Sequence, residues 1–325
     1  MRNFLIAGAL VLALAGCGSD SDDQPTTEPE AASGPWTWTD DVGQTIELDE
    51  TPTRIAAYGD AGAALWNFGI TPVALFHYMD PAEDPTFEDL DLGETEVIGT
   101  AYGELNLEEL AAAQPDLIVT TSYDGDTPES MYGFKDEAQL EKVKAIAPVI
   151  AVEQSGSALD VIATNEELAA SLGVDTGAGS DVAEDKAAFE DASEALTEAA
   201  GLGRTVLPMY AEDSGLYAVI PADDPAMAYF ADLGVQFEET GGKDDYYWEI
   251  LSWENSDKYD PDIVLNSQRG SYTTEQLEDQ PVFGSLAAVE AGQVHAWKFK
   301  SMDYPSLTSY MTELTDWLTN DADVA

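Results

Sequence analysis

Apolar residues along this chain recur in two rhythms. Runs such as Leu117-Ile118-Val119, Val149-Ile150-Ala151-Val152 and Ile263-Val264-Leu265 are continuous and rich in branched side chains, as in strands buried on both faces. Between them lie stretches whose apolar positions fall three or four apart, the spacing of helices packed by one side. From Trp36 the pattern predicts a hairpin turning at Val42-Gly43, then a strand over 54–58. A helix over 61–69 stops at Gly69 and leads to a strand at 72–76. Helix and strand alternate again through 106–114, 115–122, 139–148 and 149–152, followed by a helix over 158–172. Residues 180–200 form the longest uninterrupted helical pattern, alanine-rich and free of glycine, with Ser180 as its N-cap. Alternation resumes over 204–210, 227–233, 262–265 and 293–297, and a last helix is expected near 306–318.

Such alternation predicts an α/β protein of two halves with parallel sheets flanking one long α-helix. The expected boundaries are 36–176 for the first lobe, 177–200 for the connecting helix and 201–325 for the second lobe. The halves also share a spaced motif. Glu108 precedes Pro115-Asp116-Leu117-Ile118 by 115 − 108 = 7 positions, and Glu254 precedes Pro261-Asp262-Ile263-Val264 by 261 − 254 = 7. Each glutamate follows a capping residue by two, Asn106 in one case and Ser252 in the other, so both are expected at helix starts. An isolated glutamate there is ordinarily explained by the helix dipole, whereas the repeat favours a shared role.

Composition then narrows the function. The chain has 64 Asp and Glu against 12 Lys and Arg, which excludes nucleic acid as a partner because a phosphate backbone needs a basic footprint. Charge of that size repels itself, and the repulsion is relieved by high salt, so a salt-rich habitat is expected. The single cysteine, Cys17, has no cysteine, histidine or basic residue nearby to activate or pair it. Ahead of it stand Arg2, an apolar run over 4–14 and the small residues Ala15 and Gly16, the layout of a signal peptide. That apolar run is shorter than the roughly 20 residues of a spanning helix. Residues 1–17 thus read as a leader ending at an anchoring cysteine, and 18–35 as a disordered acidic tether that reaches about 60 Å when extended. Cleavage before Cys17 removes Arg2 and leaves 11 − 64 = −53, so a lipid and not charge would hold the protein on the membrane's outer face.

The tetrapeptide Leu14-Ala15-Gly16-Cys17 resembles the lipobox of bacterial lipoproteins. A second resemblance spans 37–318. Asp41-x-Gly43, Pro52-x-Arg54-Ile55-Ala56, Gly69-Ile70-Thr71-Pro72-Val73, Asn106-Leu107-Glu108, Pro115-Asp116-Leu117-Ile118, Ile146-Ala147-Pro148-Val149 and Ser252-Trp253-Glu254 with Pro261-Asp262 resemble, in that order, the substrate-binding lipoproteins of iron-siderophore and vitamin B12 importers. The resemblance implies an extracytoplasmic, monomeric receptor of α/β fold, two Rossmann-like lobes with parallel sheets joined by one long α-helix. It also implies that Glu108 and Glu254 dock onto arginines of an ABC importer's permease subunits.

A ligand of such a receptor is expected between the lobes, at loops following the carboxyl ends of strands. The first lobe offers Tyr58, His77, Tyr78 and Tyr123 there, and the second Tyr210, Trp248, Gln268, Arg269, Trp297 and Lys298. Aromatic faces suit a bulky chelate, and Arg269 is the leading candidate to bond its oxygens. With Lys298 and Lys300 the only other cations near those strand ends, a neutral or cationic hydroxamate of ferric iron fits better than a triply anionic catecholate. No resident cofactor is expected. Direct metal capture would draw on more histidines than His77 and His295, while haem, with His77 or a tyrosine as axial ligand, and cobalamin stand as alternative cargoes. G-x-S-x-G, H-E-x-x-H, G-x-x-x-x-G-K and a strand-following G-x-G-x-x-G are all absent, so an enzyme is disfavoured. A ligand-sensing lipoprotein without a transporter would share the cleft without needing the two glutamates.

Overall fold

The computed structural model describes residues 34–123, 130–241, 247–269, 272–298 and 301–325. Cys17 with the rest of the leader, most of the tether and Lys300 lie outside the described residues. The expected hairpin is β1 (Trp36–Thr39) and β2 (Thr45–Leu48), an antiparallel pair. It is fastened to the body by Trp36, whose indole N–H donates to Ser171 Oγ at 3.1 Å.

The first lobe holds β3 (Ile55–Tyr58), α1 (Gly59–Asn67), β4 (Ala74–Phe76), β5 (Glu96–Gly99), α2 (Leu107–Ala113), β6 (Leu117–Ser122), α3 (Glu137–Lys144), β7 (Val149–Glu153) and α4 (Ala158–Ser171). Its five strands lie in the order β5-β4-β3-β6-β7 and are all parallel, as continuous apolar runs require when helices cover both faces. The long helix α5 (Asp181–Ala200) starts where the pattern placed it, with Ser180 Oγ accepting from Ala183 N at 3.2 Å.

The second lobe follows with β8 (Thr205–Glu212), β9 (Gly215–Val219), α6 (Pro225–Asp232), β10 (Gln236–Phe237), β11 (Trp248–Leu251), β12 (Ile263–Ser267), α7 (Thr274–Glu278), α8 (Ala287–Glu290), β13 (Val294–Trp297) and α9 (Tyr304–Asn320). Its sheet runs β11-β9-β8-β12-β13, with β10 beside the start of β8. This sheet departs from the expected all-parallel pattern: β9 is antiparallel to β8, and β11 is antiparallel to β9. The cause is a tight hairpin closed by the Glu212–Gly215 pair. Gly215 is required there, because its φ is +146° and a Cβ would lie 2.2 Å from the Leu251 carbonyl oxygen.

Two reversals restore direction, so β11 runs the same way as β8 and β12. The sheets therefore match strand for strand, with β5 and β11 at one edge, β3 and β8 in the centre, and β6 and β12 beside them. The Pro-Asp pairs do the same work in both. Asp116 accepts from Thr53 N and Arg54 N, and Asp262 accepts from Thr205 N, so each carboxylate pins the start of its neighbouring central strand.

One apolar core serves both lobes. It takes Ile55, Leu117 and Ile150 from the first sheet, Phe189 and Leu196 from α5, Ile263 and Leu265 from the second sheet, and Leu307, Met311 and Leu314 from α9. Separate clusters cover the sheets' outer faces. No described helix is long and apolar enough to cross a membrane.

Candidate functional site

The carboxyl ends of strands from both sheets converge on a cavity of about 560 Å³. Its first-lobe wall begins with Tyr58, the last residue of β3, and continues through Asp60 at the start of α1. Tyr78 and Tyr123 join them from beyond β4 and β6. The second-lobe wall carries Tyr210, Trp248, Arg269 and Trp297. Seven of the ten expected ligand residues are thus brought together here.

The aromatic rings are packed against one another, which fixes their faces. Tyr132 meets Tyr58 edge-on with centroids 5.5 Å apart, and Trp248 meets Tyr210 edge-on at 4.8 Å. Tyr247 packs on Trp248 at 4.6 Å and is itself tethered through its hydroxyl to the buried Asp224. Burial raises the Tyr58 hydroxyl far above its ordinary pKa. It raises Tyr78 strongly too, despite the opposing charge of Arg269. Both stand as neutral phenols that offer hydrogen bonds and apolar faces, not charge.

Arg269 occupies the wall in a different role from the expected one. Its Nη2 donates to Asp60 Oδ1 and to Thr86 Oγ1, each at 2.8 Å, and its Nε donates to Asp84 Oδ2 at 3.1 Å. The guanidinium also lies 5.3 Å above the Tyr78 ring. It is thus a buried bridge from the second lobe to three first-lobe residues, with two carboxylates against its single charge. Burial opposes that charge, but the two carboxylates outweigh it and raise the Arg269 pKa further. For Asp84, burial alone would raise the pKa; the hydrogen bond to His77 and the charge of Arg269 prevail and hold it well below the usual carboxylate range.

Three expected ligand residues do not line the cavity. His77 is buried behind it, its Nε2 engaged with Asp84 Oδ2 at 2.8 Å and its Nδ1 against Gly59, where a Cβ would lie only 2.0 Å away. His77 is not part of the cavity lining, with Nε2 held by Asp84 and Nδ1 against the Gly59 backbone, so the structure does not place it where an axial haem ligand would stand. Gln268 is exposed, with its backbone N–H donating to the Trp297 carbonyl. Lys298 reaches across the cleft to Glu88 Oε2 at 2.8 Å. The two cations that follow β12 and β13 therefore both grip one first-lobe strap over 80–94. That strap is built of three short 3-10 turns, each capped by an aspartate: Asp80, Asp84 and Asp91.

Sequence reasoning missed Asp60, Ser130, Tyr132, Tyr247 and Ser267 on the wall. Asp60 was within reach, since it stands two positions after the strand-end Tyr58. Tyr132 and Tyr247 belong to irregular loops with no pattern to mark them. A larger and more open hollow of about 860 Å³ lies beside β10 and α6, but it gathers none of the aromatic residues that follow the central strands. Among the described residues, no group of three or more His, Cys, Asp or Glu is placed to hold a metal ion.

Glu108 and Glu254 are both exposed. Glu108 follows β5 and precedes β6; Glu254 follows β11 and precedes β12, the matching interval of the second sheet. Their local settings differ. Glu108 is in the first turn of α2, where Asn106 Oδ1 accepts from its backbone N–H at 3.1 Å. Glu254 lies in a single 3-10 turn, Trp253–Asn255, instead of a helix, and the expected cap at Ser252 is not made: its Oγ accepts from Asn255 Nδ2 at 2.9 Å.

Residues 65–300 match the family model described as periplasmic binding protein. The Fe(3+)-citrate-binding protein YfmC of Bacillus subtilis is 26% identical over 303 residues, covering 90% of this chain and 89% of that protein. The crystal structure of DesE, a ferric-siderophore receptor protein from Streptomyces coelicolor, superposes with a TM-score of 0.80 at 30% identity, covering 90% of this chain and all of that one. FhuD2 from Staphylococcus aureus, with a TM-score of 0.58 at 20% identity over 82% of this chain and 98% of its own, speaks to the fold alone.

Proposed function

The chain belongs to the periplasmic binding protein family, and on that footing we propose that it is an extracytoplasmic receptor, not an enzyme, that holds a ferric siderophore between its lobes and hands it to an ABC importer. A neutral or cationic hydroxamate is the favoured cargo. The observation that carries this choice is the neutralisation of Arg269 by Asp60 and Asp84. Among the described residues, one positive charge against two negative charges leaves the wall with no surplus cation for a polyanionic chelate. Such a chelate would have to draw Arg269 from both carboxylates, whereas a neutral trihydroxamate needs only the aromatic faces and phenol hydrogen bonds.

The relatives support a ferric cargo, since DesE is named a ferric-siderophore receptor and YfmC a ferric-citrate-binding protein. Ferric citrate is the second reading. It is disfavoured by the same charge balance. Haem and cobalamin are weaker still, His77 being committed to Asp84. The receptor would act as a monomer held by a lipid on Cys17, and Glu108 and Glu254 would meet cationic residues of the two permease subunits. A ligand-sensing role without a transporter would leave the repeated placement of the two glutamates unexplained.

Trp248 and Trp297 both line the cavity, so quenching of tryptophan fluorescence reports its occupancy directly. Titrated with ferric trihydroxamates, ferric citrate, a ferric tricatecholate, haem and cobalamin, the protein should prefer the hydroxamates by roughly tenfold or more, or about 1.4 kcal/mol. Tighter binding of citrate, catecholate, haem or cobalamin would sink the charge argument.

A further inference from the structure

A single row of side chains crosses the second sheet on its cleft-facing side. Trp297 of β13 pairs with Ser267 of β12; Ser267 directly follows Asn266, which pairs with Met209, and so stands beside Tyr210 of β8. Tyr210 pairs with Tyr217 of β9, and Tyr217 with Ile250 of β11. The first three members line the cavity. The last two carry the row beyond it to the open edge of the sheet. Tyr217 lies flat on Tyr210, with centroids 4.4 Å apart and planes 16° apart, and its hydroxyl is held by Glu212 Oε1 at 2.6 Å. Ile250 ends the row with 52% of its surface exposed.

We infer that this row is a second, apolar subsite of the cleft, and that it takes an alkyl or acyl arm projecting from a cargo whose iron centre sits among the tyrosines. The inference rests on the receptor reading above and deepens it. An exposed isoleucine is unremarkable alone, but this one ends a row of five uncharged side chains that begins inside the binding cavity, in a chain with 64 acidic residues; the one carboxylate on the row's flank, Glu212, is engaged by the Tyr217 hydroxyl. An arm lying along Tyr217 and Ile250 covers apolar surface that the empty protein leaves in water, and each buried methylene strengthens binding. The rival occupant is the importer, because Ile250 also stands four positions before Glu254 and borders a hollow of about 360 Å³ formed with Ser252, Asn255 and Lys258. Continuity with the cavity favours the cargo.

The test uses two neutral linear ferric trihydroxamates that share one iron centre and differ in a terminal amide, acetyl in one and decanoyl in the other. Both are titrated by tryptophan quenching below the concentration at which the decanoyl compound forms micelles. The wild-type protein should bind the decanoyl chelate roughly tenfold more tightly than the acetyl one. Ile250→Ser should cut that advantage to about threefold or less while leaving the acetyl affinity unchanged, which also certifies that the variant is folded; Tyr217→Ser should cut the advantage likewise, whatever the loss of its stack on Tyr210 does to the acetyl affinity. Equal affinity of the two chelates for wild type, or an advantage that survives both substitutions, overturns the inference. So does an Ile250→Ser protein that binds both chelates normally but fails in uptake, since the side chain would then face the importer. Failure of the wild type to bind even the acetyl chelate overturns the receptor reading itself and is thereby told apart.

Discussion

The two sheets place their strands in the same order but cover them differently. In the first lobe every strand is parallel, each crossover brings the chain back over a face, and β4 is buried at all three of its residues. In the second lobe a hairpin replaces one crossover, and β9 and β11 carry Tyr217, half-buried, and Ile250, exposed, on the face that continues from the cavity wall. A parallel pair needs a covering segment of a dozen or more residues, whereas an antiparallel pair needs only a turn. The second lobe is therefore the one with sheet surface to spare for a ligand, and the first supplies the acidic strap and buried phenols that face it.

The largest effect should come from the feature the lobes share. Glu108→Arg combined with Glu254→Arg should abolish siderophore uptake by cells while leaving ligand affinity within about twofold, because neither side chain lines the cavity. The single variants sharpen the comparison. If the helix start and the 3-10 turn are equivalent docking points, each should reduce uptake to a similar degree. Uptake that persists in the double variant breaks the equivalence altogether.

Next in size is the bridge that the lobes do not share. Arg269→Ala leaves Asp60 and Asp84 facing one another in a buried wall, and should destabilise the protein by about 3 to 5 kcal/mol in a denaturant titration. Adding Asp60→Asn to Arg269→Ala should return part of that loss. By contrast Arg54, which immediately precedes the first lobe's central strand and donates to the Ala113 and Gln114 carbonyls at the end of α2, should cost only about 1 kcal/mol as alanine. Equal losses at Arg54 and Arg269 would show that the cross-lobe bridge has no special weight.

The paired aspartates give a smaller and pH-dependent contrast. Asp262 is buried and accepts from Thr205, Val324 and Ala325 backbone N–H groups, so that Asp262→Ala strands donors and should cost about 2 kcal/mol; Asp116, with Thr53 and Arg54 as its donors, should cost about 1. Burial would raise the Asp262 pKa, but those donors outweigh it and leave it lowered. A lowered native pKa means that this stabilisation is complete above the unfolded value, roughly pH 4, and is lost as the pH falls through the native one. Stability of the wild type measured from pH 6 down to pH 3 should therefore fall faster than that of Asp262→Ala. Parallel curves would remove the carboxylate from the balance.

The fold was legible because its signals are local. Continuous apolar strands, the Ser180 cap and the repeated Pro-Asp pairs each follow from a few neighbouring residues, and the structure keeps all three. The β8–β9 hairpin was missed although Glu212-Asp213-Ser214-Gly215 is a polar turn between two apolar runs, because the strand–helix alternation of the rest of the chain favours a helical crossover there. In the site, residues directly following central strands were found, whereas Tyr132 and Tyr247 were not, since loops carry no periodicity. Arg269 shows the deeper limit. Its position could be read from the end of β12, but its partners Asp60 and Asp84 lie 209 and 185 residues away in sequence, and only tertiary structure brings them within reach.

The smallest effect expected is the movement of the lobes themselves. In a receptor hinged on flexible strands, each lobe keeps its own core and the cleft swings wide. Here a single core runs from Ile55 through Phe189 and Leu265 to Leu314, and α9 packs along α5, with Ser193 Oγ within 3.5 Å of Met311 Sδ. Opening the cleft would shear that core and break the Arg269 and Lys298 bridges to the strap over 80–94. Ligand should therefore shift the backbone by about 1 Å or less, read as an unchanged radius of gyration in solution scattering with and without a saturating ferric hydroxamate. If Arg269→Ala, assayed under conditions where it remains folded, shows a ligand-dependent contraction that the wild type lacks, the bridge and not the core is what limits the hinge. A wild-type contraction of several ångströms would mean that neither does.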